Sequence, residues 1–509
     1  MGILEAIANR VSSRPSLLRG SAAVLSPALD KVGSYQALAN FHRAARTRSA
    51  YRDFLERHGV RPDSVKTVED FLARVPVMDK ESYLRRYDLR ALTGEDGLAK
   101  AYCIQRSSGF SGKPTYWPRL GHEASTAVSR FQLIWDLYIN PGDCPTLMVV
   151  TFSLGSWQSG TELFRLGTEL VVHRRRHLTV IAPGENLPET LEILCTLGPH
   201  FGQWFIVGNP PFLKRMFEEG QGVDWRGRRV IVGTGAEATT EAWREWVCAR
   251  LGVDPDREPI RVINCYGSSD FGLDTATETP LSVAIKRRAL RDPNLAEELF
   301  GRTGNLPNLY QYDPIRTYFE EIDGELVVTM WSAVPLIRYN IHDAGRVLSY
   351  QRVMDALKVH GCGDLADQVR RLGYHIIKAP FLWTDGRSDG TVSIGGANVF
   401  PGNIETAILE TPGLAEAVQH FQLAVEEDDN CNKQLVVYVG LRCGTAEPDR
   451  QFLIGAAEEA ILRTLLRDNR EYEVTYLGNP TVRPRVVVVP AEAILDRGTI
   501  KRRFIRKGE

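Results

Sequence analysis

The sequence predicts an α/β fold in two parts: a large, multi-lobed N-terminal domain with parallel or mixed sheets, and a small α+β C-terminal domain. The chain has 509 residues, which is too many for one ordinary hydrophobic core. Apolar runs that are typical of buried strands alternate with helical patterns over most of its length. A second alternation of strands and helices begins after Arg387. We therefore place the large domain at residues 1–387 and the small domain at residues 388–509.

Three kinds of pattern follow one another within the large domain. Residues 1–102 have the apolar spacing of helices. Short β-rich runs continue to about Val347, and several end in Gly, Ser or Asn, where ligands bind in open α/β sheets. A polar segment at about 349–380 has a mostly helical pattern and is an insertion or an edge of this domain. The clearest strand-like runs are TLMVVTFS, ELVVHR, WFIVGNPP, RRVIVGTGAE, RVINCYGSSD and GELVVTMW.

Composition excludes several classes of protein. Lys and Arg number 62 and Asp and Glu number 63, so no overall field attracts nucleic acid or an anionic membrane. No apolar run approaches the length that spans a bilayer, and the N-terminal residues lack a secretory pattern. The eight cysteines form no Cys-x-x-Cys pair, which is typical of reduced thiols. We expect a cytoplasmic protein without nucleic-acid or membrane partners. The sequence leaves open whether the protein forms a homodimer.

A Gly/Ser-rich stretch, SSGFSGKPT, has the composition of a phosphate-binding loop. Gly109 and Gly112 permit backbone conformations that let N–H groups approach an anion, and Lys113 supplies a cation. A Walker A loop needs four residues between its first Gly and the Gly-Lys pair, followed by Ser or Thr. Only two residues intervene here and Pro114 follows the lysine, which disfavours a P-loop kinase or NTPase. A surface turn is the plain alternative for this stretch alone.

Four further motifs follow the loop in the order found in one known family. They are NCYGSSDFG, GELVVTMWSAVPLIRYNIHDAG, TDGRSDGTVSIGGANVFPGNIE and RGTIKRRF. Together with the loop they resemble the motifs of the adenylate-forming superfamily, which includes acyl-CoA synthetases, peptide-synthetase adenylation domains and luciferases. The segments PLIRY, GANVFPGNIE and GTGAEATTE are most similar to sequences of the phenylacetate–CoA ligase branch. The resemblance covers most of the chain from Arg106 onward and implies a mobile C-terminal domain.

This resemblance implies a site for ATP and Mg²⁺. The Gly/Ser-rich loop would hold the β- and γ-phosphates, and Asp270 stands where the family has a glutamate that contributes to Mg²⁺ binding. A shorter carboxylate still reaches a hard cation, directly or through water. The implied phosphate-binding residues are Ser107, Ser108, Gly109, Ser111, Gly112, Lys113 and Thr115. Gly235, Ala236 and Glu237 match a loop that lies against adenine in this branch. The implied residues beside Asp270 are Tyr266, Gly267, Ser268 and Ser269. Of these, Tyr266 would stack on the base or border the acyl pocket.

The resemblance also assigns roles nearer the C-terminus. Asp343 would accept hydrogen bonds from both ribose hydroxyls, which the two oxygens of a carboxylate permit. Arg387 would contact the ribose, and Asp389 would be the hinge between the domains. Lys501 matches the lysine that bridges the substrate carboxylate and the α-phosphate, although a solvated basic tail is the alternative. His342 replaces a glycine of the family motif and is interpreted as a structural residue.

The acyl pocket is the least specific part of the resemblance. The segment TFSLGSWQSG resembles the strand and loop that line the acyl site in this branch. The implied pocket suits an aromatic or cyclic acid. The basic run HRRRH at 173–177 is a solvated face or a docking patch for the phosphates of coenzyme A. The implied pocket residues are Ser153, Gly155, Trp157, Gly208 and Gly233.

We therefore expect an ATP- and Mg²⁺-dependent carboxylate ligase. It would form an acyl-adenylate from an aromatic or cyclic acid and transfer the acyl group to coenzyme A. The alternative is an amide ligase that transfers the acyl group to an amine or amino acid, as coronafacic-acid-type ligases do. Two further alternatives are a phosphotransferase, which would release ADP instead of AMP, and a nucleotide-binding homologue without activity.

Overall fold

The chain folds around one large mixed sheet, with helices on both sides and a smaller sheet at the C-terminal end. The computed structural model describes residues 26–94, 97–107, 115–156, 158–388, 390–441, 447–489 and 494. The helices are α1 Ser26–Thr47, α2 Ser49–Arg57, α3 Val68–Arg74, α4 Leu89–Thr93, α5 Gly121–Ile134, α6 Gln158–Val172, α7 Leu187–Thr196, α8 Pro210–Glu219, α9 Glu241–Leu251, α10 Pro280–Leu290, α11 Pro293–Phe300, α12 Tyr350–Val359, α13 Leu365–Arg371, α14 Pro401–Leu409, α15 Leu414–Ala417, α16 Glu447–Asp468 and α17 Arg470–Gly478.

The strands form four sheets within the described residues. Their bounds are β1 Ala101–Ser107, β2 Thr115–Leu120, β3 Thr146–Val150, β4 Leu178–Ile181, β5 Gln203–Gly208, β6 Arg229–Thr234, β7 Val262–Ser268, β8 Gly272–Thr277, β9 Leu309–Tyr312, β10 Thr317–Ile322, β11 Glu325–Met330, β12 Leu336–Leu348, β13 Phe381–Arg387, β14 Val392–Ile394, β15 Ala397–Val399, β16 Val418–Glu427, β17 Lys433–Leu441 and β18 Arg485–Val489. The large sheet has the order β10-β11-β12-β13-β9-β8-β7-β6-β5-β3-β4. This architecture confirms the predicted α/β class.

The half of the large sheet from β4 to β7 is parallel. Every residue of β3 and β5 is buried, as expected for strands that helices cover on both faces. The remaining pairs of this sheet are antiparallel, so the sheet is mixed. The carboxyl ends of β3, β4, β5 and β6 therefore meet at one edge, and the loops that follow them lie there together.

One strand prediction is wrong. The run ELVVHR is the end of α6 and the turn that follows it. Leu163, Leu166 and Leu170 are buried at helical spacing, so this segment packs one face of a helix onto the sheet. The strand comes later, at β4. A short apolar run is compatible with a strand or with a helix. Here the apolar residues before the run continue its helical spacing and indicate a helix.

The N-terminal helices pack against the antiparallel half of the large sheet. Buried apolar residues of α1 to α4 form one cluster with residues of β10, β11 and β12. Met78, in the loop after α3, extends this contact to the backbone: its N–H donates to the Arg338 carbonyl at 3.0 Å and its carbonyl accepts from Asn340 at 2.8 Å. The N-terminal segment is thus bonded to β12 as a short additional strand would be.

The polar insertion predicted at about 349–380 contains α12 and α13. Their apolar faces pack against α10, α11 and β9 in a separate buried cluster. The insertion therefore covers the face of the large sheet beside β9 and β13.

The C-terminal part has its own sheet and core. The order is β16-β17-β18, with β16 and β17 antiparallel and β17 and β18 parallel. Helices α14 and α16 and the hairpin of β14 and β15 bury their apolar residues against this sheet. In the portion of the chain that the structure describes, no helix has both the length and the apolarity to cross a membrane.

A buried ionic network joins α9, α10 and the end of β8. The Arg244 guanidinium is fully buried and donates to both carboxylate oxygens of Glu278, at 2.7 and 2.8 Å. Glu241 contacts Arg244, Lys286 and Arg287 at distances between 3.0 and 3.3 Å. Although burial opposes ionisation, these cations lower the pKa of Glu241 to about 2. Because the charges compensate one another away from water, removing a single partner leaves an uncompensated buried charge.

We expect the substitution Arg244→Met to lower the free energy of unfolding by about 3–5 kcal/mol, because Glu278 would lose its buried cation. Arg257→Met is the matched control, since the Arg257 side chain is 83% exposed and pairs with Asp254 at 3.8 Å. The control should change the free energy of unfolding by about 0.5 kcal/mol or less. Urea denaturation of both variants measures the difference, and equal losses would contradict the role given to Arg244.

Candidate functional site

A cavity of about 1510 Å³ lies between the large sheet and the C-terminal sheet. Residues after the carboxyl ends of the parallel strands form one side, and residues of β13 to β17 and α17 form another. Predicted site residues from separate motifs line this one cavity. They are Ser107, Thr115, Ser153, Ala236, Glu237, Tyr266, Gly267, Ser268, Ser269, Asp270, Asp343 and Arg387.

The strands that flank the Gly/Ser-rich loop form a hairpin beside the cavity. Ser107 and Thr115 are partners in the antiparallel pairing of β1 with β2. The buried Arg119 of β2 donates to the Gln105 side chain at 2.8 Å and to the Ser269 carbonyl at 2.5 Å. Arg119 therefore ties this hairpin to the loop that carries Asp270. The predicted residues Ser108, Gly109, Ser111, Gly112, Lys113, Trp157, Asp389 and Lys501 lie outside the described residues.

Asp270 is buried, and its carboxylate has two partners. The Tyr339 hydroxyl donates to its Oδ2 at 2.6 Å, and the Lys80 ammonium lies 3.1 Å from the same oxygen. Burial and the charge of Asp270 hold the pKa of the Tyr339 phenol well above its usual value, so Tyr339 stays a donor. Lys80, which precedes β1 by many residues, was not predicted as a site residue. Its position in the loop after α3 brings it to the cavity.

Asp270 fits the coordination that Mg²⁺ usually has. Mg²⁺ takes one or two protein carboxylates and completes its shell with phosphate and water oxygens. Among the residues that the structure describes, no group of three or more His, Cys, Asp or Glu side chains could hold a metal by itself. Asp270, as one carboxylate ligand from the cavity wall, therefore suits a metal that is shared with a bound phosphate.

Asp343 and Arg387 lie side by side on paired strands. They are cross-strand partners in β12 and β13, and Arg387 Nη1 lies 3.8 Å from Asp343 Oδ1. The Tyr266 hydroxyl donates to Asp343 Oδ2 at 2.6 Å. Tyr266 is buried among Phe271, Tyr310 and Phe319, so its ring is part of the core and its hydroxyl orients the carboxylate. A carboxylate has lone pairs for further donors, and Asp343 can still accept from a ligand.

His342 adopts a backbone conformation that favours glycine. Its φ is +67°, in the left-handed region, at the position where the family motif has Gly. The ring lies between two carboxylates: Nε2 is 3.4 Å from Asp79 Oδ2, and Nδ1 is 3.4 Å from Glu325 Oε2. The contact with His342 is the main reason that the pKa of Asp79 lies far below its usual value. The interpretation of His342 as structural stays a prediction, and its ring cross-links the N-terminal segment to β11.

The loop after β6 is held by a residue of the C-terminal sheet. Lys433, at the start of β17, donates to Glu237 Oε2 at 2.8 Å and to the Ala238 carbonyl at 2.5 Å. Ala236 has a φ of +68°, which is an uncommon conformation for a residue with a side chain. An ion pair between the two parts of the molecule thus closes one end of the cavity.

Four predicted glycines have other surroundings. A Cβ added at Gly208 would lie 2.1 Å from Thr151 Oγ1, and one at Gly233 would lie 2.9 Å from Val207. Both residues are in strands, where the missing side chain allows close packing within the sheet. Gly155 has a φ of +88° in the loop after β3, and a Cβ at Gly235 would lie 3.4 Å from the Cys265 carbonyl oxygen.

The basic run at 173–177 makes local ion pairs. Arg176 contacts Asp136 at 2.6 Å, and His177 lies 3.3 Å from Asp143. His173 lies 3.5 Å from Glu169, one turn earlier in α6. The charge of Arg176 is therefore offset within the same surface.

A partly buried glutamate lies in the cavity wall, near the predicted pocket residue Ser153. Glu185 follows β4, and its Oε1 accepts from the Ser153 hydroxyl at 2.7 Å and from the Asn209 amide at 3.3 Å. Its Oε2 has no hydrogen-bond partner among the described residues. Burial raises the pKa of Glu185 to about 7, against the hydrogen bonds from Ser153 that lower it.

Sequence reasoning missed Lys80, Asp79, Glu185, Glu325 and Lys433. Glu325 lies in one of the motifs that carry the resemblance but not in the cavity wall. The other four belong to no such motif and reach the cavity through the fold. For Glu185 a signal was present, because the residue lies four positions after the end of the short β-rich run LTVI.

Comparisons with known proteins agree with the motifs. No family model matches the chain. A phenylacetate–coenzyme A ligase of Aromatoleum evansii is 24% identical over 463 residues, which are 88% of this chain and 89% of the relative. A phenylacetate–coenzyme A ligase of Pseudomonas putida is also 24% identical, over 81% of this chain and 82% of the relative. Over more than four fifths of its length the chain is therefore similar to phenylacetate–CoA ligases. The recognition made from the motifs is confirmed.

The fold of this ligase-like chain also resembles a solved structure. A 2-hydroxyisobutyryl-CoA ligase in complex with 2-HIB-AMP and CoA superposes with a TM-score of 0.58 at 16% identity. The match covers 93% of this chain and 88% of that structure. At this identity the likeness concerns the fold, and it extends over both the large sheet and the C-terminal sheet.

The raised pKa of Glu185 predicts a pH-dependent stability. A carboxyl whose pKa is raised to about 7 in the folded state contributes stability below its unfolded pKa, and this contribution is lost as pH rises through 7. The substitution Glu185→Gln removes the ionisation. Relative to the wild type, the variant should gain about 2–3 kcal/mol of unfolding free energy between about pH 5 and about pH 8.

Urea denaturation at the two pH values measures this gain. Glu192→Gln is the matched control, because it removes the same charge from an exposed position on α7. The control should differ from the wild type by the same amount at both pH values. If the difference between Glu185→Gln and the wild type does not change with pH, ionisation of Glu185 does not lower the free energy of unfolding.

Proposed function

We propose that the protein is an ATP- and Mg²⁺-dependent carboxylate ligase that converts an aromatic or cyclic carboxylic acid to its acyl-adenylate and transfers the acyl group to coenzyme A. The single observation that carries the proposal is the meeting of separate motif residues around one cavity. The sequence relatives named above, which act on phenylacetate and coenzyme A by name, support the acid and the acceptor.

The first half-reaction joins the acid to the α-phosphate of ATP. A carboxylate oxygen attacks the α-phosphorus, the bond from that phosphorus to the bridging oxygen breaks, and pyrophosphate leaves. No protein group becomes covalently bound, so positioning and charge neutralisation account for catalysis. Asp343 and Arg387 would hold the ribose, and the loop after β6 would face the base. Mg²⁺, held by Asp270 and the phosphates, would offset their negative charge.

Lys80 belongs in this account beside Asp270. Its ammonium contacts the carboxylate proposed for the metal, at 3.1 Å. A cation at this place would neutralise phosphate charge beside Asp270. Tyr339, which donates to the same carboxylate oxygen, would hold Asp270 in one orientation when the phosphates arrive.

The second half-reaction transfers the acyl group. The thiol of coenzyme A loses its proton and attacks the acyl carbon, and AMP leaves with the oxygen that joined it to the acyl group. We propose residues 1–387 and 388–509 as the two domains, with Asp389 as the hinge about which the second moves. Lys501 would reach the α-phosphate in the first half-reaction, where it would reduce the repulsion between two anions.

The proposal predicts pyrophosphate exchange into ATP that depends on a carboxylic acid. A panel of aromatic and cyclic acids, tested with ATP, Mg²⁺ and labelled pyrophosphate, identifies the acid class. Adding coenzyme A or a series of amines separately then identifies the acceptor from the rate of AMP release. Release of ADP, or exchange that no acid increases, would contradict the proposed reaction, and AMP release with amines alone would favour an amide ligase.

The substitution Lys501→Ala should lower the rate of acid-dependent exchange by about a hundred-fold or more, because an uncompensated approach of two anions raises the barrier by about 3 kcal/mol. ATP binding, measured by equilibrium titration, should stay within about three-fold of the wild type. Lys31→Ala is a control lysine distant in sequence from the motifs, and it should leave both quantities unchanged. Undiminished exchange by the Lys501→Ala variant would remove the role of Lys501.

A further inference from the structure

We propose that His342 is a positioning residue whose ring, as an imidazolium, holds Asp79 and thereby keeps Lys80 in place for the phosphates of ATP. This inference rests on the proposed ligase function and deepens it, because it assigns a role to a residue that the proposed reaction does not use. His342, Asp79 and Lys80 all line the cavity. Asp79 and Lys80 belong to the loop after α3, whereas His342 belongs to β12.

Both ring nitrogens of His342 lie close to a carboxylate. Nε2 is 3.4 Å from Asp79 Oδ2, and Nδ1 is 3.4 Å from Glu325 Oε2. A neutral imidazole carries one N–H, so its second nitrogen would direct a lone pair at one of these carboxylates. An imidazolium donates from both nitrogens, and the negative charges on its two sides favour it. The geometry therefore fits a protonated ring.

The Asp79 carboxylate is shared between its own turn and His342. Its Oδ1 accepts from the Ser82 N–H at 2.6 Å and from the Ser82 hydroxyl at 2.7 Å. These bonds leave Oδ2 for the ring of His342. The contact with His342 is the main reason why the pKa of Asp79 lies far below its usual value, so this carboxylate stays ionised while the ring is protonated.

Glu325 connects the other side of the ring to the large sheet. Glu325 begins β11, and its Oε1 accepts from the Ser388 hydroxyl while its Oε2 accepts from the Asn340 side chain. Burial raises the pKa of Glu325, but these hydrogen bonds and the charge of His342 outweigh burial and lower the pKa. The ring thus links the loop after α3 to a carboxylate that β11 and its neighbours hold in place.

Other charged side chains on the same elements have ion-pair partners of their own. Pairs formed by residues of the loop after α3 and of β10, β12 and β13 are Lys80–Asp270, Glu81–Arg85, Glu320–Arg338, Glu321–Arg346, Asp343–Arg387 and Asp385–Arg302. Within the described parts of the chain, the ion pairs of Asp79 and Glu325 are those with His342. A neutral side chain at position 342 would therefore leave the carboxylates on both sides of it without a cation.

The backbone of His342 is held in a conformation that is uncommon for a residue with a side chain. Its φ is +67°, its N–H donates to the Asn340 side chain at 2.7 Å, and its carbonyl accepts from the Ser388 N–H at 2.8 Å. Such conformations persist where the surrounding structure fixes them, and they are frequent at ligand sites. This conformation places the ring between the two carboxylates, and the backbone bonds keep it there.

Asp79 transmits this constraint to the next residue, Lys80. The Lys80 ammonium lies 3.1 Å from Asp270 Oδ2. Without the charge of His342, Asp79 would become a second carboxylate that competes for the Lys80 ammonium, because opposite charges attract strongly at a partly buried site. Lys80 would then leave the place where it offsets phosphate charge. Since carboxylates occupy both N–H groups of the ring, His342 acts through Asp79 and not on the nucleotide itself.

Equilibrium titration of the full-length protein with MgATP at about pH 7 tests the inference. His342→Asn removes the charge and tolerates a left-handed backbone, and it should bind MgATP about five-fold or more weakly than the wild type. His342→Gly, which relieves the backbone, should show the same loss. The matched control is His360→Asn, because His360 pairs with Glu298 at 2.7 Å outside the cavity wall and should leave the affinity unchanged. Equal affinity of the wild type and both His342 variants would overturn the inference.

The pH dependence of binding separates charge from packing. Between about pH 7 and about pH 9.5 the affinity of the wild type for MgATP should fall toward that of His342→Asn, because the imidazolium loses a proton and the asparagine has none to lose. A residue that only fills space would give a ratio of the two affinities that stays the same. A ratio independent of pH would therefore overturn the charge assigned to His342.

A double-mutant cycle with Lys80→Met tests the path from the ring to the cavity. If His342 acts through Lys80, adding His342→Asn to the Lys80→Met variant should lower the affinity for MgATP by about two-fold or less. A general loss of structure would instead weaken binding equally in both backgrounds. Equal losses would show that His342 does not position Lys80.

Failure of this inference can be told apart from failure of the ligase proposal. The NMR signals of the His342 ring, identified by their loss in His342→Asn, show at about pH 7 whether both nitrogens carry protons, and they need neither ATP nor turnover. A neutral ring would overturn the inference and leave the ligase function standing. No binding of ATP by the wild type would contradict both proposals, whereas ATP binding that neither His342 variant changes would remove the positioning role alone.

Discussion

The buried pair of Arg244 and Glu278 is the interaction on which the cavity depends. Glu278 does not only offset the arginine: it also accepts from the Asn264 backbone N–H at 2.8 Å and from the Asn308 side chain at 2.7 Å. Asn264 in turn donates to the Glu237 carbonyl at 2.9 Å and accepts from the Tyr310 hydroxyl at 2.6 Å. One ion pair away from water thus sets the positions of Asn264 in β7 and of the loop after β6. Both belong to the cavity wall.

Ion pairs in the cavity wall orient carboxylates that face the cavity. Asp270 with Lys80, and Asp343 with Arg387, are pairs whose partners come from distant parts of the chain. Tyrosine hydroxyls hold both carboxylates from the core side, Tyr339 at Asp270 and Tyr266 at Asp343. The carboxylates are therefore oriented before a ligand arrives, which lowers the entropy cost of binding one. Glu185 departs from this arrangement because its partners are neutral.

Much of the fold could be predicted from the sequence because its signals are local. Buried parallel strands are continuous apolar runs, and β3, β5, β6 and β7 were predicted from them. The strand β4 was missed because its four residues include a threonine and a polar flank, while the end of α6 is more apolar. The mixed character of the sheet depends on which strands pair across long sequence distances, and no local pattern reports it.

The site could be predicted only where a motif carries it. The resemblance predicts Asp343 and Arg387 as neighbours of one ligand, whereas their direct pairing depends on the register of β12 with β13. The partners Lys80 and Lys433 come from a loop and a strand that share no motif with them. Their contribution follows from tertiary structure alone. His342 is a middle case: its place in a glycine position signals a left-handed backbone, but the two carboxylates that receive its ring are not adjacent to it in sequence.

The attachment of the N-terminal helices to β12 bears on how this chain can be divided. Met78 bonds to the backbone of that strand, and the next two residues, Asp79 and Lys80, face the cavity. The N-terminal helices are therefore an integral part of the large domain. A shortened chain that began at β1 would retain every motif and yet lack Asp79 and Lys80 from the wall of the cavity. Exchange of segments between relatives would have to carry this loop along with β12 to preserve the chemistry of the cavity.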